Sequence, residues 1–510
     1  MEAPELEPTQ SLDPQRPAFT HEQIRRVIIG VMMCIFLGAV DQTVVIPAVP
    51  AIAADLHGFG HLAWIVTAYM LTSTIFTPFY GKISDIFGRR ALLLPAIGIF
   101  LVTSVLCGFA QSLWQLILFR ALQGIGGAGL VSMAQASIAD VVSPRERGRY
   151  QAYMASSWVV ASIVGPVLGG WATDALSWRW IFWANAPICV AAYLLSSRAL
   201  RMLPVQRREV KIDTLGSIFL SISTTAFLLV LSWGGSDYAW TSPEVLGTAA
   251  TCAIFLALLI RQEKRFVDPL IPPRLFRNAT FRCGILIVAC NCAGMLSFTF
   301  LLPLLFQLTR GSDAATSGTQ IVPFLLSTCV GAVIAGNFGR RYGRLKPVIQ
   351  AGLVISFISS IVFALVGDGA SSIWLAVLQV LTGVGVGVVQ PCTMVTVQNA
   401  AERRDVGAAT GTFLFVRNIG SAFGSTFAGV LLAGGFTAEL VRKGLAGKVE
   451  LGALRQVSGA HLALDPAVLQ AAHDALNVAF RGAFAASAGL IALAFVASLR
   501  LPDVTLRTTN

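Results

Sequence analysis

The sequence predicts an all-α integral membrane protein: two pseudo-symmetric six-helix halves with two extra helices between them, about fourteen transmembrane helices in all. Composition is the first support. Of 510 residues, 55% are hydrophobic and 12% charged, with a mean hydropathy of +0.72, against about 25% charge in a soluble domain. That balance excludes a soluble globular enzyme. The apolar residues also fall in blocks of about twenty, the length that crosses a bilayer core. The third support is an internal repeat. Gly81 and Gly88 recur as Gly336 and Gly343 at a spacing of 255, while Gly124, Gly148 and Gly165 recur as Gly383, Gly407 and Gly424 at 259. Five matches in order with one slip, each at an equivalent place relative to the apolar blocks, mark a duplicated unit.

Residues 1–24 are acidic and proline-bearing and read as a disordered cytoplasmic tail. Spans then start near Val27, Leu62, Ala91, Leu113, Tyr150 and Trp180, making a first bundle over residues 25–205. Two linker spans follow, near Ile212 and Val245, within 206–266. The second bundle, 267–503, has spans from about Ala279, Ser317, Pro347, Ile373, Val406 and Phe480, an outer loop near 435–478, and a cytoplasmic tail at 504–510. Ala51-Ile52-Ala53 resembles a signal-peptide cleavage site, but the first apolar stretch is too long, contains Asp41 and is followed by further spans.

Most of the 37 Lys and Arg fall in alternate loops and in the tails, which places those loops and both termini in the cytoplasm of a cell membrane. The net charge of +11 is therefore a topology signal at an anionic surface and not a nucleic-acid footprint. Nine of the ten tryptophans lie near predicted outer ends, as an interfacial belt would; Trp158 does not. The nine cysteines lie almost all inside apolar blocks, so no disulfide framework is expected. No histidine falls within a predicted span, no metal-ligand spacing is present, and no nucleophile set is suggested.

Asp41 stands midway along the first span. A charge there costs about 2.5–3.5 kcal/mol on insertion scales, so it is by default functional and turned inward. Taking a carboxylate out of water disfavours its charged form, which suits a group that gains and loses a proton in each cycle. Pro47 and Pro50 are expected to break the helix just beyond it. Arg120, in the fourth span, is the natural partner. Arg417, in the thirteenth, is the third intramembrane charge, and with Gln123, Asn291, Gln307, Gln390 and Asn418 it is a candidate lining for a substrate cavity. In GKISDIFGRR, a very short loop, Gly81, Asp85, Gly88, Arg89 and Arg90 read as a gate, with Asp85 accepting from an arginine across the opening. Gly165, Pro166, Gly169 and Gly170 read as a close-packing, bendable helix face.

These segments resemble the fourteen-span drug:proton antiporters of the major facilitator superfamily. GKISDIFGRR (81–90) is similar to the superfamily's signature loop, LFRALQGIGGAG (118–129) to its fourth-span motif, and VGPVLGGW (164–171) to the antiporter motif. AVDQTVVIPAVP (39–50) and WRWIFWANAP (178–187) resemble the first-span acidic motif and the opening of the sixth span. The resemblance covers nearly the whole chain. It implies the major facilitator fold and a proton-driven exporter with no cofactor, whose partners are the bilayer, lipophilic small molecules and protons. A periplasmic adaptor is left open. It also implies proton coupling at Asp41 and Arg120, a cytoplasmic gate at Asp85 and Arg89, and an antiporter bend at Gly165, Pro166 and Gly169. Members that export dications often carry carboxylates in second-half spans; none is found in the spans beginning near Ser317 and Val406, which leaves neutral, monocationic or amphipathic cargo. A dedicated exporter of one metabolite, siderophore or lipid is the alternative.

Overall fold

The computed structural model describes residues 20–56, 62–202, 213–235, 238–312, 314–366, 369, 371–445 and 466–503. The helices are α1 (His21–Leu56), α2 (Ala63–Phe87), α3 (Arg89–Gly108), α4 (Leu113–Val141), α5 (Pro144–Ala175) and α6 (Trp180–Ala199), then α7 (Thr214–Trp233) and α8 (Pro243–Arg265). The second half holds α9 (Ala279–Arg310), α10 (Thr316–Tyr342), α11 (Lys346–Val366), α12 (Ser372–Ala400), α13 (Val406–Arg442) and α14 (Pro466–Leu499). Thirteen of them are long and apolar enough to cross a membrane. The remaining one, α2, has 25 residues and is diluted by Thr67, Thr72, Ser73, Thr74 and Thr77. No strand forms among the described residues; Gly234 and Tyr238 make an isolated bridge.

Local chemistry sets the ends. Ser112, Asp213, Ser242, Asn278 and Ser371 each accept a backbone N–H from the first turn of the helix they precede. Gly311 and Gly343 stop α9 and α10 in the left-handed region, at φ of 64° and 67°. Most helices start within about two turns of the position expected from the sequence. The exception is α14, which starts at Pro466 instead of near Phe480 and takes His473 into the helix; since α13 runs to Arg442, the outer loop is shorter than expected. The rest of that loop, most of the N-terminal tail and residues 504–510 lie outside the described residues. Residues 21–24, assigned to the tail, are helical, and α1 runs unbroken through Pro47 and Pro50.

The halves repeat one another. In the first, α1 packs on α5 and α4 on α2 and α3; in the second, α9 packs on α13 and α12 on α10 and α11. Their interiors are apolar, as in the cluster of Phe298, Phe324, Phe363 and Phe484. The outward faces are apolar too: Val102, Leu118, Val167 and Trp171 are exposed, which only a lipid surround makes favourable over so large a surface.

The halves meet at two seams on the side that carries the arginine-rich loops, called here the basic side. In one, α2 crosses α13, so that a methyl group on Gly81 would sit 2.5 Å from the Gly407 carbonyl oxygen and 2.9 Å from Gly411 Cα. In the other, α5 crosses α10, and a methyl on Gly336 would meet the Gly148 carbonyl oxygen at 2.6 Å. Gly81 and Gly336 are one repeat pair and Gly148 and Gly407 another, so the second seam is the first regenerated by the duplication. Gly336→Val is expected to prop the second seam open at a cost of about 1–3 kcal/mol; cross-linking between cysteines placed on α5 and α10 should fall accordingly.

The linker hairpin α7–α8 lies against the first seam, with Leu220, Leu259 and Leu270 packed on Phe79 of α2 and Phe415 of α13. Beneath them Glu263 accepts the Ile271 N–H at 3.1 Å, Asp213 accepts from Gln262 at 2.9 Å, and the buried Lys82 lies in the field of Glu263.

Candidate functional site

Asp41 and Arg120 meet in the interior of the first half. The Arg120 Nη1 donates to Asp41 Oδ2 at 2.6 Å, with the two side chains 1% and 0% exposed. Taking two charges out of water costs several kcal/mol each, and only good geometry with further hydrogen bonds offsets it. Those bonds are present. Gln123 Nε2 and Asn185 Nδ2 donate to Asp41 Oδ1 at 3.0 and 2.9 Å. Arg120 also donates to Gln123 Oε1 at 2.7 Å and to the Ile65 carbonyl at 3.2 Å. The Tyr69 ring covers the guanidinium, 4.4 Å from its centroid, a contact of cation–π type. Ser104 accepts the second Asn185 N–H contact at 3.1 Å and donates to the Phe182 carbonyl. Helices α1, α2, α3, α4 and α6 all contribute. Loss of the negative charge on Asp41 would therefore alter the packing of five helices at once.

Gln123, a candidate cavity residue, belongs to this cluster and is wholly buried. Asn185, Ser104 and Tyr69 are partners that the sequence did not single out. Asn185 had a signal: it is the one amide in WRWIFWANAP, immediately inside an apolar helix.

The antiporter-like face packs beside this cluster. Methyl groups on Gly165 and Gly169 would collide with Thr43 and Val44 of α1, and Thr43 Oγ1 donates to the Ala161 carbonyl at 2.9 Å. Thr43 lies two residues from Asp41, so α5 is in register with the carboxylate. Pro166 is exposed, and nothing packs within 4 Å of a methyl on Gly170.

At the first seam Asp85 accepts the Gly407 and Ala408 N–H groups at 2.9 and 2.8 Å. These are unpaired donors at the positive end of α13, where a carboxylate is favoured by both hydrogen bonding and the helix dipole. The arginine expected across the opening is instead on the same side: Arg89 pairs with Asp85 at 2.8 Å, with Asp140 of α4 at 2.8 Å, and with Ser84. What Asp85 holds across the seam is backbone. The turn from α2 to α3 is made by Gly88 alone, at φ 88°, a conformation that disfavours a side chain. Arg90 is half-buried and outside this network, its Nε buried with no hydrogen-bond partner among the described residues. Nothing in the sequence around Asp140 sets it apart from any acid near a helix end.

The second seam uses the opposite polarity. Arg340 stands where the first half has Asp85, at the spacing of 255. Here the backbone carbonyls of Arg340 and Arg341, at the negative end of α10, accept from Arg145 of α5 at 3.1 and 3.4 Å. One seam joins an acid to a helix start, the other a base to a helix end.

The remaining candidate cavity residues are dispersed. Gln307 is tied to Ser317 at 2.8 Å near the far end of α9, away from the basic side. Asn291 is 0% exposed, and neither of its amide atoms has a hydrogen-bond partner among the described residues. Gln390, Arg417 and Asn418 are half-buried near the middle of α12 and α13. No group of three metal-binding side chains occurs among the described residues.

Known proteins agree with this architecture. The chain is 32% identical over 406 residues, 80% of its length, to the multidrug transporter protein MdtP of Bacillus subtilis, covering 75% of that protein. It is 29% identical over 493 residues to multidrug resistance protein 3 of the same organism, covering 95% of this chain and 96% of that one. The crystal structure of the human organic anion transporter MFSD10 shares the fold at 15% identity, with a TM-score of 0.61 over 93% of this chain and 99% of that one. Residues 31–425 match the sequence pattern of the Major Facilitator Superfamily, and the chain belongs to that superfamily.

Proposed function

We propose that this transporter exports hydrophobic or amphipathic small molecules in exchange for protons, by rocking residues 25–205 against residues 267–503. The observation that carries the reading is the sealed Asp41–Arg120 pair at mid-membrane. Protonation of Asp41 removes the charge that holds Arg120, Gln123 and Asn185 in place, so proton occupancy and helix packing in the first half change together. Gly165 and Gly169 carry that change into α5, which forms the second seam, while Asp85 and Arg89 fasten the first. The basic side is the cytoplasmic side of a cell membrane, with both termini there. On this assignment both seams are closed toward the cytoplasm. The names of the two Bacillus relatives support a broad range of cargo.

One charge moved across the membrane is worth about 2.3 kcal/mol per 100 mV, so exchange of one proton for a neutral molecule sustains roughly a fifty-fold gradient. The test is uptake into proteoliposomes with an acidic interior, using ethidium and a neutral lipophilic dye. Accumulation that collapses with nigericin is the expected result; no movement of either dye by folded protein would contradict the proposal.

A further inference from the structure

Arg417 is the third intramembrane charge, apart from the Asp41–Arg120 pair. It lies eleven residues into α13 (406 to 417), roughly 16 Å along the helix, about half of a 30 Å hydrocarbon core. Its neighbours Phe413, Leu414 and Val416 belong to the apolar cluster where Val131 of α4 meets α9 and α13, which places it where the two halves face each other. The guanidinium reaches the Oδ1 of Asn418, at 3.2 and 3.4 Å, and no carboxylate pairs with it among the described residues. Arg120, by contrast, has its carboxylate in contact. An intramembrane arginine without a counter-ion is costly, so its retention at this depth calls for a negative partner supplied from elsewhere.

The duplication shows why the chain supplies none. Gly165 packs on Thr43, and its repeat partner Gly424 packs on Ala293. Counting back two residues from each contact gives Asp41 in α1 and Asn291 in α9, so the second half carries a neutral amide where the first carries the acid. The repeat also equates Arg417 with Trp158, at the same 259 spacing as the α5 and α13 glycines. Trp158 is half-buried on α5, and it is the tryptophan that does not belong to the interfacial belt. Equivalent places of the two halves thus hold a large apolar ring, packed along one side on the first half's core, and an unneutralised guanidinium.

We propose that Arg417 anchors the anionic head of an amphipathic cargo, a carboxylate or sulfonate, whose apolar body lies toward Trp158. This rests on the export reading above and narrows its substrate class. A guanidinium fork donates to two oxygens of such a head at once, and the same charge disfavours a cationic head at that point. The charge balance follows. When one proton enters as one monoanion leaves, two charge equivalents move inward, so export responds to membrane potential twice as steeply as export of a neutral molecule.

The experiment uses the full chain in phosphatidylcholine proteoliposomes with an acidic interior, comparing radiolabelled 8-anilinonaphthalene-1-sulfonate with ethidium. Wild type should accumulate the sulfonate. The ratio of initial rates, sulfonate to ethidium, should fall at least tenfold in Arg417→Gln and be largely restored in Arg417→Lys; a merely structural arginine would not change this ratio. Equilibrium dialysis of the sulfonate against detergent-solubilised protein gives the same comparison for a variant that does not turn over, with at least tenfold weaker binding expected for Arg417→Gln. Adding anionic phosphatidylglycerol distinguishes the sources of the head group: unchanged sulfonate uptake supports a soluble cargo, whereas competition abolished by Arg417→Gln supports an anionic lipid at the same site. Ethidium uptake without sulfonate uptake in wild type, or unchanged ratio and binding in Arg417→Gln, would overturn the assignment while leaving proton-coupled export standing. If wild type moves neither probe nor the neutral lipophilic dye, both readings fall.

Discussion

Asp41→Asn is expected to reduce gradient-driven efflux to the level of empty vesicles while folded protein remains in the membrane. An asparagine at this position keeps an oxygen for Gln123 and Asn185, and Arg120 keeps the Ile65 carbonyl, Gln123 and the Tyr69 ring. These remaining contacts keep the protein folded, in the packing that a permanently neutral side chain gives, and no proton can be exchanged there. Arg120→Met is expected to be the more damaging single change, because it leaves a carboxylate buried without its counter-ion, at a cost of about 3–5 kcal/mol. Combining it with Asp41→Asn removes that unpaired charge. The double variant should therefore recover much of the thermal stability lost in Arg120→Met and none of the transport. Stability restored together with transport would show that the pair is a structural clasp alone.

Asp85→Ala should open the basic side. The substitution strips two acceptors from the start of α13 and one of two carboxylates from Arg89. Hydrogen bonds to a charged group contribute about 1.5–3 kcal/mol each, and every 1.4 kcal/mol is about tenfold in a two-state equilibrium, so losing two is expected to shift the equilibrium by roughly a hundredfold or more. Electron–electron resonance between spin labels at the basic ends of α2 and α13, in a cysteine-free background, should show a longer-distance population that wild type lacks. Asp85→Asn should be intermediate, since one amide oxygen can still accept an N–H. A distance distribution identical to wild type in Asp85→Ala would mean that the glycine crossings alone hold the seam.

The parts of this fold that were legible in the sequence are those where membrane physics leaves few choices. A carboxylate and a guanidinium at mid-span had to face inward and had to find partners, and Asp41 and Arg120 found each other. Glycines repeated at fixed spacing had to mark something that a side chain would obstruct. Four of them proved to be the two helix crossings between the halves, a pairing of Gly81 with Gly407 and Gly148 with Gly336 that spacing alone does not reveal.

What remained hidden depends on packing. Gln123, Gln307 and Gln390 are chemically alike in an apolar helix. One completes the ion cluster, one ties α9 to α10 and one is half-buried in mid-helix. The sequence predicts an arginine across the opening for Asp85 because side-chain charges are visible in a sequence, whereas the free N–H groups at the start of α13 are a property of the folded helix end. Helix α14 starts before the position the sequence predicts because its outer turns, with His473 and Asn477, lack the unbroken apolar run by which spans are recognised.

That Asp41 carries the coupled proton is tested best by proton flux itself. Proteoliposomes loaded with pyranine and an exported substrate, with no imposed pH gradient, should show an internal pH change when the outward substrate gradient is allowed to run in wild type. In Asp41→Asn this change is expected to disappear. Equal substrate-driven proton flux in the two proteins would contradict it and place the proton elsewhere.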